Sequence, residues 1–260
     1  MTDFFESQPR LRPIPQQRVI EKMDWYMSRR DYAGAERHLL YWLEEAKAGG
    51  DLRGALMLRN ELVGHYRKTG ERDKALQSAG EALKLVERLD FGNTISAGTT
   101  YVNVATALNA FGESERALAL FERARPIYES SPAIQPRLLG GLYNNMALTC
   151  AALGRYGEAL ALYGQAMAQM AKAPQGALEM AITCLNMANL LERRDGMAAA
   201  EKAIFDLADR AVALLDGPEL THDGYYAFVC EKCAPTLDYY GYFDDARRFT
   251  EEAERIYAGA

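Results

Sequence analysis

Apolar side chains in this chain recur at the spacing i, i+3, i+4 and i+7, which places them on one face of an α-helix. A strand would instead show strict alternation of apolar and polar residues. The helical spacing is clearest in two segments of the sequence, at Tyr101, Val104, Ala105 and Leu108 and again at Tyr143, Met146, Ala147 and Cys150. Each segment is therefore predicted to be a helix with one buried face.

The same pattern returns along the whole chain at intervals of about 42 residues. A second apolar stripe begins in every interval at a small residue, found at Ala35, Ala75, Ala117, Ala159, Ala200 and Ala246. The first stripe has its own small position, filled by Met23, Val63, Ala105, Ala147, Ala188 and Ala234. Between the stripes, a glycine predicts a left-handed turn that ends the first helix, at Gly70, Gly112, Gly154 and Gly241.

Each interval is thus predicted to be a hairpin of two antiparallel helices, and the small residues mark where the helices cross closely. One such hairpin cannot bury its own apolar face, whereas a stack of them can. The sequence therefore predicts an all-α protein, an α-solenoid of about six hairpins.

The order of residue types, aromatic-x-x-large-small-x-x-large, then glycine, then alanine-x-x-x-aromatic, resembles the tetratricopeptide repeat (TPR) over about residues 16–258. The long stretch LYNNMALTCAALGRYGEALALYGQAM is similar to the extended repeats of kinesin light chains. The resemblance implies a right-handed superhelix whose concave groove, lined by the first helix of each hairpin, binds a peptide or a helix of another protein.

The predicted organisation is a tail over residues 1–15 followed by one repeat array over residues 16–258. Pro9, Pro13 and Pro15 prevent a regular helix in the tail, which is either flexible or an extended strap on the array. The fifth unit is irregular, with Asp195 where a glycine is expected and a register that can differ by one residue. The six units are predicted at about 16–48, 55–89, 97–130, 139–172, 180–215 and 225–258.

Composition narrows the classes of function. The chain has 260 residues, 36 acidic and 30 basic, and a net charge of −6, which argues against a nucleic-acid partner because that affinity needs clustered Lys and Arg. The first residues do not read as a signal peptide, and no run of 18 apolar residues occurs. We therefore expect a cytoplasmic protein without a membrane span.

The segment FVCEKCAP, residues 228–235, raises the question of a metal or redox site. Both Cys230 and Cys233 fall on core positions of the last unit, as do Cys150 and Cys184 in theirs, so packing explains them. A zinc site would need two further ligands, and a redox dithiol would need a helix N-terminus. We expect no metal and no cofactor here, and we expect Pro235 to kink or end its helix.

Polar residues beside the first stripe are the candidate binding residues. Asn103, Asn145 and Asn186 recur one repeat apart, and a carboxamide offers both the donor and the acceptor that an extended peptide backbone needs. The alternative is that these asparagines cap or bridge neighbouring helices. Together with flanking charges and neighbours, the predicted partner-binding set is Asn60, Glu61, Asn103, Thr106, Asn109, Asn144, Asn145, Asn186, Asn189 and Lys232.

The last unit is rich in aromatic residues, which either cover the end of the stack or form a binding surface. They are Tyr225, Tyr226, Phe228, Tyr239, Tyr240, Tyr242 and Phe243.

Three classes of function follow from these features. The first is a non-catalytic adaptor or scaffold that binds a protein or peptide in the groove. The alternative is a regulatory sensor for a small signalling peptide or small molecule. An enzyme is not expected, because no catalytic motif such as GxSxG, HExxH or a phosphate loop occurs in the sequence. The partner's identity and the oligomeric state stay open.

Overall fold

The computed structural model describes residues 11–259, and every helix or strand assigned among them is an α-helix, which confirms the predicted all-α fold. Successive helices pair into six hairpins of the predicted kind. The helices are α1 (Gln16–Ser28), α2 (Tyr32–Ala48), α3 (Leu52–Thr69), α4 (Arg72–Arg88), α5 (Ile95–Ala110), α6 (Ser114–Ser130), α7 (Pro136–Ala152), α8 (Tyr156–Met170), α9 (Gly176–Asp195), α10 (Met197–Leu215), α11 (Gly224–Tyr239) and α12 (Phe243–Gly259).

The small positions read from the sequence lie in the core. All six alanines that begin the second stripes are buried, with none more than 7% exposed. In the first stripes the small residues from Val63 to Ala234 are buried as well, and Met23 in α1 is half-buried. Alanine at these crossings lets the two helix backbones approach closely, so the repeat register assigned from the sequence is correct at these positions.

Glycines end the first helices as predicted. The backbone φ angles of Gly70, Gly112, Gly154 and Gly241 are +77°, +81°, +74° and +89°, a region in which a side chain would strain the backbone. The fifth hairpin departs from this pattern: α9 continues to Asp195, and Gly196 with φ +83° joins it directly to α10. The turn glycine thus comes one residue later than its expected place, which accounts for the irregular register there.

The chain divides into two compact units, of which the first ends at Ile127 and the second begins at Tyr128, both inside α6. In the first unit, α2 packs on α1 and α3, and α3 packs on α4 and α5. In the second unit, α9 packs on α7, α8, α10 and α11, and α11 packs on α12. The expectation of one continuous array stays a prediction.

Residues 11–15, here called the strap, lie against the loop between α2 and α3. The backbone N–H of Arg12 donates to the carbonyl of Gly49 at 2.9 Å, and that of Ile14 donates to Asp51 Oδ2 at 3.0 Å. The other oxygen of Asp51 accepts from the N–H of Gly54 at 2.9 Å and so caps α3. Residues 1–10 of the predicted tail lie outside the described residues.

Pro235 does not end its helix, so that part of the sequence-based expectation is wrong. Helix α11 continues through Pro235 to Tyr239. The proline side chain is exposed, so the backbone group left without its N–H partner is near solvent rather than in the core. On the other side of the helix, Cys233, Ala234 and Leu237 are buried and their packing stabilises the helix across the proline.

All four cysteines are buried free thiols, as their core positions predicted. Burial raises the pKa of Cys230 to about 11 and that of Cys233 to about 12. A thiol with so high a pKa carries almost no thiolate at neutral pH and is therefore a poor nucleophile.

Candidate functional site

A cleft of about 710 Å³ opens in the first unit, between α3 and α5, and is called the α3–α5 cleft below. Helix α3 places Arg53, Asn60 and Glu61 along it, because residues seven or eight apart lie two turns along one helix face. Helix α5 contributes Ser96 and Asn103. Three predicted partner-binding residues, Asn60, Glu61 and Asn103, therefore line one cleft.

Asn60 and Asn103 form a hydrogen-bonded chain across the cleft floor. Asn60 Nδ2 donates to the carbonyl of Leu56 and to Thr100 Oγ1, both at 3.0 Å, and Asn103 Nδ2 donates to Asn60 Oδ1 at 3.2 Å. These bonds use the donors and acceptor of Asn60 to join α3 to α5. Within residues 11–259, Asn103 Oδ1 accepts no hydrogen bond, so it can accept one from a ligand.

Glu61 is the acidic group of the cleft. Burial raises the pKa of Glu61 above its ordinary value, and the negative charge of Asp24 raises it further. The described part of the chain gives this carboxylate no hydrogen bond or ion pair. A buried carboxylate without a partner is costly to ionise, and a cation or N–H donor brought by a ligand would relieve that cost.

The cleft also carries an arginine that rests on an aromatic ring. The guanidinium carbon of Arg53 lies 5.3 Å from the ring centroid of Phe91, within the range of a cation–π contact. Arg53 and Phe91 were not among the predicted binding residues. Arg53 stands seven residues before Asn60 and could have been found from the helix period, whereas Phe91 lies in the loop before α5, where no period applies.

Two other predicted residues of the first unit do not line the cleft. Thr106 Oγ1 donates to the carbonyl of Val102 in its own helix at 2.7 Å. Asn109 Oδ1 accepts from Ser114 Oγ at 2.9 Å and connects the end of α5 to the start of α6.

The predicted residues of the second unit connect neighbouring helices. Asn144 is buried, and its Oδ1 accepts from Thr183 Oγ1 at 3.2 Å and from Asn186 Nδ2 at 3.3 Å, which joins α7 to α9. Asn189 Oδ1 accepts from the hydroxyl of Tyr240 at 2.8 Å, which joins α9 to α11. These contacts match the alternative that asparagines bridge helices. Lastly, Asn145 is half-buried on α7 and Lys232 is exposed on α11.

Tyrosine hydroxyls attach the last hairpin to the one before it. Tyr239 and Tyr240 donate to the two carboxylate oxygens of Glu192 at 2.7 and 3.0 Å. Tyr225 donates to Glu179 in α9, and Tyr242 donates to Asp209 in α10. These bonds and the burial of Tyr226 support the covering role of the aromatic group.

Comparison with known proteins identifies the repeats. The family model described as Tetratricopeptide repeat matches residues 55–130, which span α4, α5, α6 and most of α3. The chain therefore contains tetratricopeptide repeats, and the resemblance predicted from the sequence is confirmed. No curated protein sequence matches the chain.

Solved structures with the same fold include repeat proteins and peptide complexes. The TPR-like repeats of a kinesin light chain from Podosopora anserina are 17% identical, with a TM-score of 0.52, over 78% of this chain and 95% of theirs. NprR in complex with its cognate peptide NprX is 15% identical, with a TM-score of 0.60, over 93% of this chain and 67% of NprR. A Rap protein complexed with Competence and Sporulation Factor is 15% identical, with a TM-score of 0.59, over 92% of this chain and 62% of Rap. At these identities the likeness shows the fold alone.

None of the helices between residues 11 and 259 is long and apolar enough to cross a membrane.

Proposed function

We propose that this protein is a non-catalytic interaction module that binds an extended peptide segment in the α3–α5 cleft. The observation that carries the proposal is that Asn103 Oδ1 and the Glu61 carboxylate line one cleft without partners from the described chain. The structures of NprR with NprX and of Rap with its factor support it, because those proteins hold peptides on the same fold.

The chemistry of the cleft favours a particular kind of peptide. Asn103 Oδ1 would accept a backbone N–H, and Glu61 would accept a lysine, an arginine or a free amine. Phe91 and Leu56 add apolar surface for a neighbouring side chain. The proposed ligand is therefore an extended segment with a basic residue beside an apolar one. The predicted role of Lys232 as a basic counterpart that orients the peptide stays part of this proposal.

A peptide array tests the proposal without a known partner. The wild-type chain is applied to an array of random peptides, together with Ser96→Trp, which fills the cleft from an exposed position, and with Gln77→Trp, an exposed position on α4 away from the cleft. We expect Gln77→Trp to bind the wild-type set and Ser96→Trp to lose it. Equal binding by both variants would show that the cleft is not the binding surface.

Asn103→Ala gives the finer measurement. Loss of one hydrogen bond to a desolvated backbone group should weaken a recovered peptide by about 1–3 kcal/mol, roughly 5- to 150-fold. Circular dichroism should show unchanged helicity, since Asn103 is half-buried and lies beside the core stripe.

A regulatory sensor is the second candidate, favoured by the likeness to the two peptide-bound structures. Hydrogen exchange with and without a recovered peptide separates the two functions. An adaptor should gain protection at the cleft alone, whereas a sensor should also change protection in hairpins that do not contact the peptide. The cytoplasmic location and the absence of a nucleic-acid partner remain predictions from the sequence.

A further inference from the structure

A second polar group of the first unit lies outside the α3–α5 cleft and combines a histidine with two glutamates. Glu36 comes from α2, His65 from α3, and Glu71 from the turn between α3 and α4. One ring nitrogen of His65 and one carboxylate oxygen from each glutamate all lie within 4.8 Å of one another. Three separate elements thus bring three potential metal ligands together.

His65 has an unused nitrogen inside this group. The residue is 5% exposed, and its Nδ1 is buried without a hydrogen-bond partner among the described residues. Leaving a buried polar atom unpaired is costly, so this nitrogen calls for a ligand. Burial also lowers the pKa of His65, which keeps the imidazole neutral and its lone pair available.

The two carboxylates are already oriented by other side chains. The hydroxyl of Tyr66 donates to Glu36 Oε1 at 2.9 Å, and Thr69 Oγ1 donates to Glu71 Oε1 at 3.0 Å. Such hydrogen bonds to the far side of a ligand fix its direction in metal sites.

A positive charge already occupies the space between the glutamates. Lys74 Nζ lies 2.8 Å from Glu36 Oε1 and 2.6 Å from Glu71 Oε2. The lysine side chain is 49% exposed, so its ammonium group can move into solvent without loss of packing. The position therefore attracts cations, and its present occupant is replaceable.

We propose that Glu36, His65 and Glu71 form a binding site for a first-row divalent transition-metal ion such as Zn²⁺, which displaces the ammonium group of Lys74. One imidazole and two carboxylates suit such an ion, and solvent would supply the fourth ligand. Ligand atoms about 2.1 Å from a tetrahedral ion are about 3.4 Å apart, so the group would close by roughly 1 Å. The bound ion would join the first hairpin to the second.

Calorimetric titration of the full chain with Zn²⁺ tests the site. We expect one equivalent to bind, and we expect His65→Gln to lower the affinity at least about tenfold. His38→Gln is the matched control, since His38 also lies in the first unit but its Nε2 contacts the carbonyl of Val19 instead. Failure of the wild-type chain to bind, or equal loss in both variants, would overturn the proposal.

Two further variants keep the test decisive if His65→Gln folds poorly. Glu71→Gln, in the turn, should also lose binding, whereas Lys74→Ala should bind Zn²⁺ more tightly because the competing ammonium group is gone. Cobalt(II) then identifies the ligands, since binding by cysteine gives a thiolate charge-transfer band and this site would give none. A thiolate band, or unchanged affinity in Lys74→Ala and Glu71→Gln, would refute the assignment.

Discussion

The hairpin contacts of the first unit and those of the second use different polar chemistry on the same repeat. Between the first two hairpins, Lys74 and Tyr66 bind the carboxylate of Glu36. Between the last two, the hydroxyls of Tyr239 and Tyr240 bind the carboxylate of Glu192. Both regions place alanines at the helix crossings. The crossings therefore define the repeat, while the polar contacts around them are free to differ.

This difference has energetic consequences. The ion pair of Lys74 with Glu36 is partly exposed, so salt screens it and its net contribution is small. Tyrosine hydroxyls on a carboxylate combine a hydrogen bond with burial of the ring, and Tyr240 is only 4% exposed. The polar contacts of the last two hairpins should therefore resist salt better than those of the first two.

The largest expected effect tests what the two regions share. Ala105→Leu in the first unit and Ala147→Leu in the second each overpack a fully buried crossing and should destabilise the protein by about 1–3 kcal/mol. Urea denaturation followed by circular dichroism measures the change. An unchanged midpoint for either variant would mean that its position is not a close crossing.

A smaller effect should separate the two regions. Tyr240→Phe removes hydrogen bonds to Asn189 and Glu192 and should cost about 1–2 kcal/mol, whereas Tyr66→Phe should cost about 0.5–1 kcal/mol. Tyr66→Phe is milder because Glu36 keeps its contact with Lys74. The same denaturation curves, recorded at low and high salt, decide this, and a larger loss in Tyr66→Phe would reverse the comparison.

The smallest effect concerns pH and has opposite signs at two glutamates. Burial raises the pKa of Glu61, so the folded chain holds this proton to higher pH than the unfolded chain, and stability falls as pH rises through that interval. Glu61→Gln should therefore stabilise the protein at neutral pH and change little in acid.

Glu36 supplies the control for that measurement. The hydrogen bond from Lys74 is the main cause of a lowered pKa at Glu36, so its contribution is present at neutral pH and is lost as pH falls through the folded-state pKa. Glu36→Gln should therefore destabilise the protein at neutral pH. Destabilisation of the protein by Glu61→Gln at neutral pH would show that Glu61 makes a favourable contact in the folded chain.

Much of the fold could be read from the sequence because repeats restate the same local signal. The alanines at the crossings and the turn glycines follow from spacing alone, and so does the burial of Cys230 and Cys233. The continuation of α11 through Pro235 could not be read, since it depends on which side of the helix faces solvent. Local propensity does not carry that information.

The candidate sites were less predictable, for a related reason. Asn103 could be placed beside the core stripe, but its bond to Asn60 depends on how α3 meets α5. The group of Glu36, His65 and Glu71 gave no signal, because its members come from three elements and the histidine stands where a core residue is expected. Spacing along one helix reveals a face, whereas a site shared by several elements requires their packing.

The two bonds of Asp51 bear on the order in which the chain is completed during synthesis. The cap on α3 joins Asp51 to Gly54, three residues later, and can form as soon as that turn leaves the ribosome. The bond to Ile14 spans 37 residues, so the strap has no carboxylate to meet until α1 and α2 have both been made. The segment translated before the first hairpin is thus secured only after that hairpin is finished.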